Sequence, residues 1–187
     1  MLRAWLQRLL PGLLWLLVQP VAWATPGAPH YTVSGWTMED GLPHPLVHVV
    51  AQDREGFLWA GTWEGAVRFN GRDFTLFDRQ NTRGMELAGV YSILPEADGG
   101  VLFGTARNGI VRYHQGAWQR VGGEATRTLA VSALRRGSDG ALWFASGRRL
   151  MRLDGHGLQD AGRLAGLPVG EVLAVAQDRA GARLAAA

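Results

Sequence analysis

The sequence predicts an all-β chain of four-stranded antiparallel blades, about three and a half blades of an incomplete, seven-bladed β-propeller. Three observations carry this. A short motif recurs: Asp53-Arg54-Glu55-Gly56-Phe57-Leu58-Trp59-Ala60-Gly61-Thr62 returns as Asp98-Gly99-Gly100-Val101-Leu102-Phe103-Gly104-Thr105 and as Ser138-Asp139-Gly140-Ala141-Leu142-Trp143-Phe144-Ala145-Ser146. A worn fourth copy runs from Arg179 to Ala185. The turn glycines Gly56, Gly99, Gly140 and Gly181 lie 43, 41 and 41 residues apart, and a period of about 40–45 residues is the length of one four-stranded blade. Finally, Gly41–Gly56 returns as Gly166–Gly181 at a constant offset of 125 residues, with ten identities in sixteen positions.

Residues 1–24 read as a secretory signal peptide. Arg3 and Arg8 charge its start, Leu9 to Val18 is apolar apart from the Pro11-Gly12 interruption, and Pro20 breaks the helix. Ala22-Trp23-Ala24 is a small-x-small cleavage site, so the mature chain is expected to begin at Thr25. The apolar run is shorter than the roughly 20 residues that span a bilayer. Residues 25–35 form a Pro/Gly-rich linker and the start of a closure strand, Tyr31 to Thr37, whose alternation suits the outermost strand of a preceding blade. Residues 36–187 are the partial propeller, in repeats of about 46–88, 89–129, 130–170 and a truncated 171–187.

Four strands can be placed in each full repeat. The first repeat gives Val47–Gln52, Phe57–Thr62, Ala66–Phe69 and Phe74–Phe77. The second gives Val90–Leu94, Val101–Thr105, Ile110–Tyr113 and Ala117–Val121. The third gives Val131–Arg135, Ala141–Ala145, Leu150–Leu153 and Leu158–Asp160. Gly56 and Asn70-Gly71 supply the hairpin turns. Trp59, Leu102 and Trp143 share one repeat position and are expected between blades, each burying roughly 1.5–3 kcal/mol of side chain. Gly61 and Gly104, two residues on, leave room for the neighbouring sheet. With about four to eight blades in a closed single-chain propeller, the chain reads as the N-terminal piece of a longer protein. The strand at Tyr31–Thr37 is then expected either to dangle or to pair with Val172–Gln177.

Composition excludes several chemistries. There is no cysteine, hence no disulfide framework and no thiolate site. All 19 basic residues are arginine against 16 acidic residues, a net charge of +3 that falls to +1 without Arg3 and Arg8. No basic block marks a nucleic-acid partner. Of the histidines His30, His44, His48, His114 and His156, only His44 and His48 are four apart, and Pro43 and Pro45 forbid a helix there. The Asp-x-x-Gly turns lack the dense Asp/Asn alternation of calcium loops, and Ser92, Ser132 and Ser146 have no nucleophile-elbow context. The sequence therefore offers no catalytic, metal or cofactor residues. One surface stands out. In an up-and-down blade the loop entering the first strand and the loop joining strands two and three emerge at the same end. That groups His44 with Trp63 and Glu64, with Arg107 and Asn108, and with Arg148, as a candidate ligand face. Trp63 there reads either as a stacking residue or as a cover over the seam between blades.

At these residues the chain resembles the two-component regulator propeller family. Its repeat pattern is matched by Gly41-Leu42-Pro43, Val47, Asp53, Gly56, Leu58-Trp59, Gly61-Thr62, Gly65, Arg68-Phe69, Gly71 and Phe74. Pro45, Leu102 and Arg149 depart from it. The resemblance implies the periplasmic sensor part of a signalling protein held in the inner membrane by a segment absent here. It implies two tandem seven-bladed propellers, an immunoglobulin-like connector, one membrane helix, and a histidine kinase or diguanylate cyclase output. It also implies a carbohydrate or other small periplasmic ligand, and the missing C-terminal blades as structural partner. Two other readings stand beside this one. One is a secreted propeller enzyme resembling the virginiamycin-type lyases, and the other a structural adhesion or scaffold propeller.

Overall fold

The computed structural model describes residues 32–83, 87–162 and the strands Ala174–Gln177 and Arg183–Ala186. The signal peptide, the Ala24–Thr25 cleavage site, most of the linker with His30 and Tyr31, and the second Gly-Leu-Pro at 166–168 lie outside them. The chain divides into two units, residues 1–35 and 36–187. Of the first, residues 32–35 are described: exposed and without secondary structure.

The second unit is built of antiparallel sheets whose strand order follows the sequence. The first blade is β1 (Val47–Gln52), β2 (Leu58–Thr62), β3 (Ala66–Phe69) and β4 (Phe74–Phe77). The second is β5 (Val90–Pro95), β6 (Val101–Thr105), β7 (Ile110–His114) and β8 (Ala117–Val121). The third is β9 (Ser132–Arg136), β10 (Leu142–Ser146), β11 (Arg149–Asp154) and β12 (Gly157–Asp160). A two-stranded sheet, β13 (Ala174–Gln177) and β14 (Arg183–Ala186), is the half blade. The fold class read from the repeats is thus the observed one, and the strand positions agree to within a residue at each end. The third repeat lacks the turn glycine of Gly65 and Gly109; there Gly147, at φ 57°, takes the left-handed conformation instead, and β11 already begins at Arg149.

The turn between the first two strands explains why Asp, Gly and Trp travel together. Asp53 Oδ1 accepts the amides of Glu55 and Phe57, both at 3.0 Å, which shapes the turn. Its Oδ2 accepts the Trp59 indole N–H at 2.7 Å, so a fully buried tryptophan keeps a polar partner. Trp59 then meets Phe103 and Tyr113 of the second blade at 5.1 and 5.3 Å between ring centres. Around it Val90, Ile93 and Val101 complete the first seam, and Leu102, Ile110, Leu134, Phe144 and Met151 form the second. Trp143 and Ala145 meet Val175 of β13 at the third.

Close approach at the seams depends on the small residue after each anchor. A Cβ on Gly61 would stand 2.7 Å from the Val90 carbonyl oxygen, and one on Gly104 2.6 Å from that of Val131. Both are well inside van der Waals contact, so the sequence expectation for these glycines holds.

The strand expected over Tyr31–Thr37 is not formed at residues 32–37. Instead Thr37 caps a single 3-10 turn, Met38–Asp40: its Oγ1 accepts the Glu39 amide at 3.2 Å, and Asp40 Oδ2 accepts the Thr37 amide at 2.7 Å. That local bonding competes with a sheet ladder for the same backbone groups. Trp36 turns onto the outer strands of the first blade, 5.2 Å from Phe69 and 6.3 Å from Phe74.

Candidate functional site

The loops entering the first strands and the β2–β3-type turns do share one end of the sheets, since Val47 pairs with Thr62 and Val90 with Thr105. The threonine after each small residue builds the turn. Thr62 Oγ1 donates to the Gly65 carbonyl at 3.2 Å and accepts the amides of Glu64 and Gly65. Thr105 Oγ1 does the same with the Gly109 carbonyl at 3.0 Å and the Asn108 amide at 2.9 Å. The turns are stitched to the next blade through the backbone. The Gly89 amide donates to the Trp63 carbonyl, the Ala106 amide to that of Gly89 and the Val131 amide to that of Thr105, each at 2.8 Å.

This frame fixes where the candidate residues fall. His44 is half-buried, its Nδ1 accepting the Leu46 amide at 3.0 Å. Glu64, Arg107 and Arg148 are exposed at the tips of their turns, and the Asn108 carbonyl accepts Arg120 Nη1 at 2.8 Å. The ring contacts of this end converge on Trp63. It lies 5.2 Å from His48 and 5.4 Å from Tyr91, at 81° and 80° between planes, while His48 and Tyr91 are 5.2 Å apart. Trp63 therefore bridges the seam between the first two blades and still leaves 46% of its surface in solvent.

His48 and Tyr91 were missed by the sequence reading because their direction comes from an irregularity in register. In β1, Val47 pairs with Thr62 and Val49 with Gly61, so His48 is an extra residue without a partner. In β5, Val90 pairs with Thr105 and Ser92 with Gly104, leaving Tyr91 in the same place. Such a bulge takes a side chain out of the strand's alternation and re-aims it. The visible signal was a polar or aromatic residue breaking an otherwise apolar strand directly after Val47 and Val90. His48 Nε2 is buried with no hydrogen-bond partner, an uncompensated group where nearly all buried polar atoms are paired. Among the described residues no three metal-ligating side chains converge.

Stacked four-stranded blades, joined in sequence order and carrying an aromatic cluster at one loop end, define a repeat-built β-propeller region. Within that class, residues 41–64 match the model of the Two component regulator propeller family, so the resemblance read from the sequence is borne out at the first repeat. Among solved structures, the chain is similar to the extracellular domain of the hybrid two component system BT3049 from B. thetaiotaomicron (TM-score 0.64, 18% identity, 84% of this chain and 22% of that one). It is also similar to the extracellular domain of BT4673 from the same organism (TM-score 0.63, 21% identity, 78% and 19%). A third likeness is virginiamycin B lyase from Staphylococcus aureus (TM-score 0.55, 16% identity, 77% and 50%). At these identities the likeness shows the fold, and the chain spans about a fifth of the length of the first two domains. No curated protein matches in sequence. Among the described residues no helix is long and apolar enough to cross a membrane.

Proposed function

We propose that this chain is part of the exported, ligand-sensing propeller of a transmembrane two-component or cyclic-di-GMP signalling protein, and that it is itself not an enzyme. The reading places it in the periplasm, with further blades and the output domain supplied by the rest of a longer protein. It is supported by the repeat at residues 41–64 and by the fold shared with extracellular domains of hybrid two component systems. The observation that carries the ligand site is Trp63: half-exposed, held edge to face by His48 and Tyr91, above an imidazole nitrogen without a partner. A rigid, half-exposed aromatic platform suits a ligand that presents an apolar face between its hydroxyl groups. A small carbohydrate is such a ligand.

Calorimetric titration of the purified chain with a panel of neutral oligosaccharides tests this. Binding that weakens at least about tenfold, roughly 1.4 kcal/mol, in both Trp63→Ala and Tyr91→Ala is the expected outcome. Binding indifferent to both changes would move the site elsewhere. The fold shared with virginiamycin B lyase keeps one competing reading: turnover of a streptogramin by the purified chain would replace the sensor with a lyase.

A further inference from the structure

Asn or Asp stands directly before Gly at Asp40-Gly41, Asn70-Gly71, Asp98-Gly99, Asn108-Gly109, Asp139-Gly140 and Asp154-Gly155. At such a pair a chain can modify itself. The glycine nitrogen lies within reach of the preceding side-chain carbonyl carbon, and glycine has no side chain to block the approach. The structure separates one of these pairs from the rest.

The first requirement is a glycine amide that is not already committed. The Gly41 amide donates to the Met38 carbonyl at 3.2 Å and the Gly99 amide to that of Glu96 at 3.3 Å. The Gly109 amide donates to the Leu129 carbonyl and the Gly140 amide to that of Gly137, both at 3.0 Å. Among the described residues the Gly71 and Gly155 amides have no partner. The second requirement is a carbonyl that accepts a nucleophile. The His156 amide and then Arg152 hold the Asp154 carboxyl below its ordinary value, so it stands as a carboxylate, which resists attack by nitrogen. Asn70 is a neutral amide, and both Asn70 and Gly71 are exposed.

The turn between β3 and β4 also prepares Asn70. Its Oδ1 accepts the amides of Arg72 at 2.8 Å and Asp73 at 2.7 Å. Those two N–H groups sit where negative charge collects when a nucleophile adds to the side-chain carbonyl. Its Nδ2 donates to nothing among the described residues, whereas Asn81 Nδ2 is tied to the Leu76 carbonyl at 2.8 Å.

We propose that Asn70 is a self-modification site, converted through a cyclic imide to aspartate and isoaspartate. The Gly71 nitrogen attacks Asn70 Cγ and loses its proton. The Cγ–Nδ2 bond breaks, and the departing nitrogen takes up a proton and leaves as ammonia. Water then opens the imide. Opening at Cγ restores the backbone and leaves an aspartate. Opening at the main-chain carbonyl carbon routes the backbone through Cγ as isoaspartate. That product adds one carbon to a hairpin in which the Asn70 amide reaches the Asp73 carbonyl at 3.3 Å. Phe69 and Phe74 pair directly beside this turn and hold Trp36, so the change is felt by the segment leading into the first blade. The turn lies at the opposite end of the blade from Trp63 and stands apart from the ligand reading.

Incubation of the purified full chain at mildly alkaline pH, followed by peptide mass spectrometry, tests the proposal. Asn70 is expected to undergo amide-to-acid exchange at least about tenfold faster than Asn108. Ammonia should be released in step, and isoaspartate should separate as a second isomer. In concentrated denaturant, where no glycine amide is committed, the two Asn-Gly pairs should convert at like rates. Asn70→Gln, whose ring would need one more carbon, should abolish the ammonia released in step with the reaction at this turn. Equal rates at Asn70 and Asn108 in the folded chain, no conversion at Asn70, or a contrast that persists in denaturant would each overturn the proposal.

Discussion

Trp36 lies 5.2 Å from Phe69, ring centre to ring centre, as Trp59 lies 5.3 Å from Tyr113. Phe69 and Tyr113 hold the same place on the third strands of successive blades. Tyr113 meets the anchor of the blade before it, while Phe69 meets a residue from the segment leading into the first blade. Trp36 thus occupies at the outer strands the position a preceding blade's tryptophan would take. Trp36→Ala is expected to lower stability by about 1 kcal/mol, roughly half the value of fully burying a large side chain, because Trp36 stays 48% exposed. Denaturant unfolding measures this, and an unchanged midpoint would show that the contact is ornamental.

The seam glycines make a sharper prediction. Gly61→Ala and Gly104→Ala force a methyl group onto the Val90 and Val131 backbones, and overpacking of this kind costs about 1–3 kcal/mol. The third blade already carries Ala145, fully buried at the corresponding position. Ala145→Gly should cost about 1 kcal/mol or less through chain entropy. Thermal unfolding of the three variants checks the ordering; equal effects would mean that the seams are looser than the backbone distances imply.

Asp53→Ala removes the two carboxylate oxygens that accept three hydrogen bonds in one turn, including the partner of the buried Trp59 indole. Leaving that donor unpaired is expected to cost about 1–3 kcal/mol. The same variant should shift tryptophan emission, because the indole loses its carboxylate. Stability equal to that of the parent chain would refute the turn's role in holding the anchor.

Acid should loosen the outer turns. The Gly100 amide, with Arg112 nearby, holds the Asp98 carboxyl below its ordinary value. The His156 amide and then Arg152 do so for Asp154. At Asp139 burial pulls upward, but the Ala141 amide and Arg152 together outweigh it. A carboxyl depressed by folding contributes stability that is complete above its unfolded value, about 3.9 for Asp, and lost as pH falls through the lower folded value. Urea midpoints should therefore be flat above about pH 5 and fall below about pH 4. The fall should be shallower in Asp98→Asn and Asp154→Asn. A midpoint that rises on acidification would contradict the sign.

Glu96 links two blades. Its carboxylate accepts Arg112 Nε at 2.9 Å within the second blade and pairs with Arg136 of the third. Its side chain is only 11% exposed. Glu96→Ala leaves Arg112 short of a partner and is expected to cost about 2 kcal/mol, the range of a charge-assisted hydrogen bond. Arg136→Ala, at a more exposed group, should cost less. A double-mutant cycle of Glu96 with Arg136 reads the seam contribution directly, and a coupling of zero would confine Glu96 to its own blade.

By itself the sequence determined the period, the twelve strands of the three full blades, the anchor position of Trp59, Leu102 and Trp143, and the need for Gly61 and Gly104. These are legible because each is set within one repeat. A strand's alternation, a turn's demand for glycine and an anchor's spacing recur every blade, and repetition separates them from noise. The tertiary structure alone decided what depends on a neighbour or on an irregular register. Trp36 left the expected strand because Thr37 and Asp40 cap a local turn and Phe69 offers an aromatic surface. His48 and Tyr91 joined Trp63 because a bulge adds one residue to β1 and to β5, which no alternation pattern announces. Val50 is bare while Ile93 is buried, although both carry the same repeat signal. A side chain's burial is fixed by what stands opposite it, and that belongs to the assembly of blades.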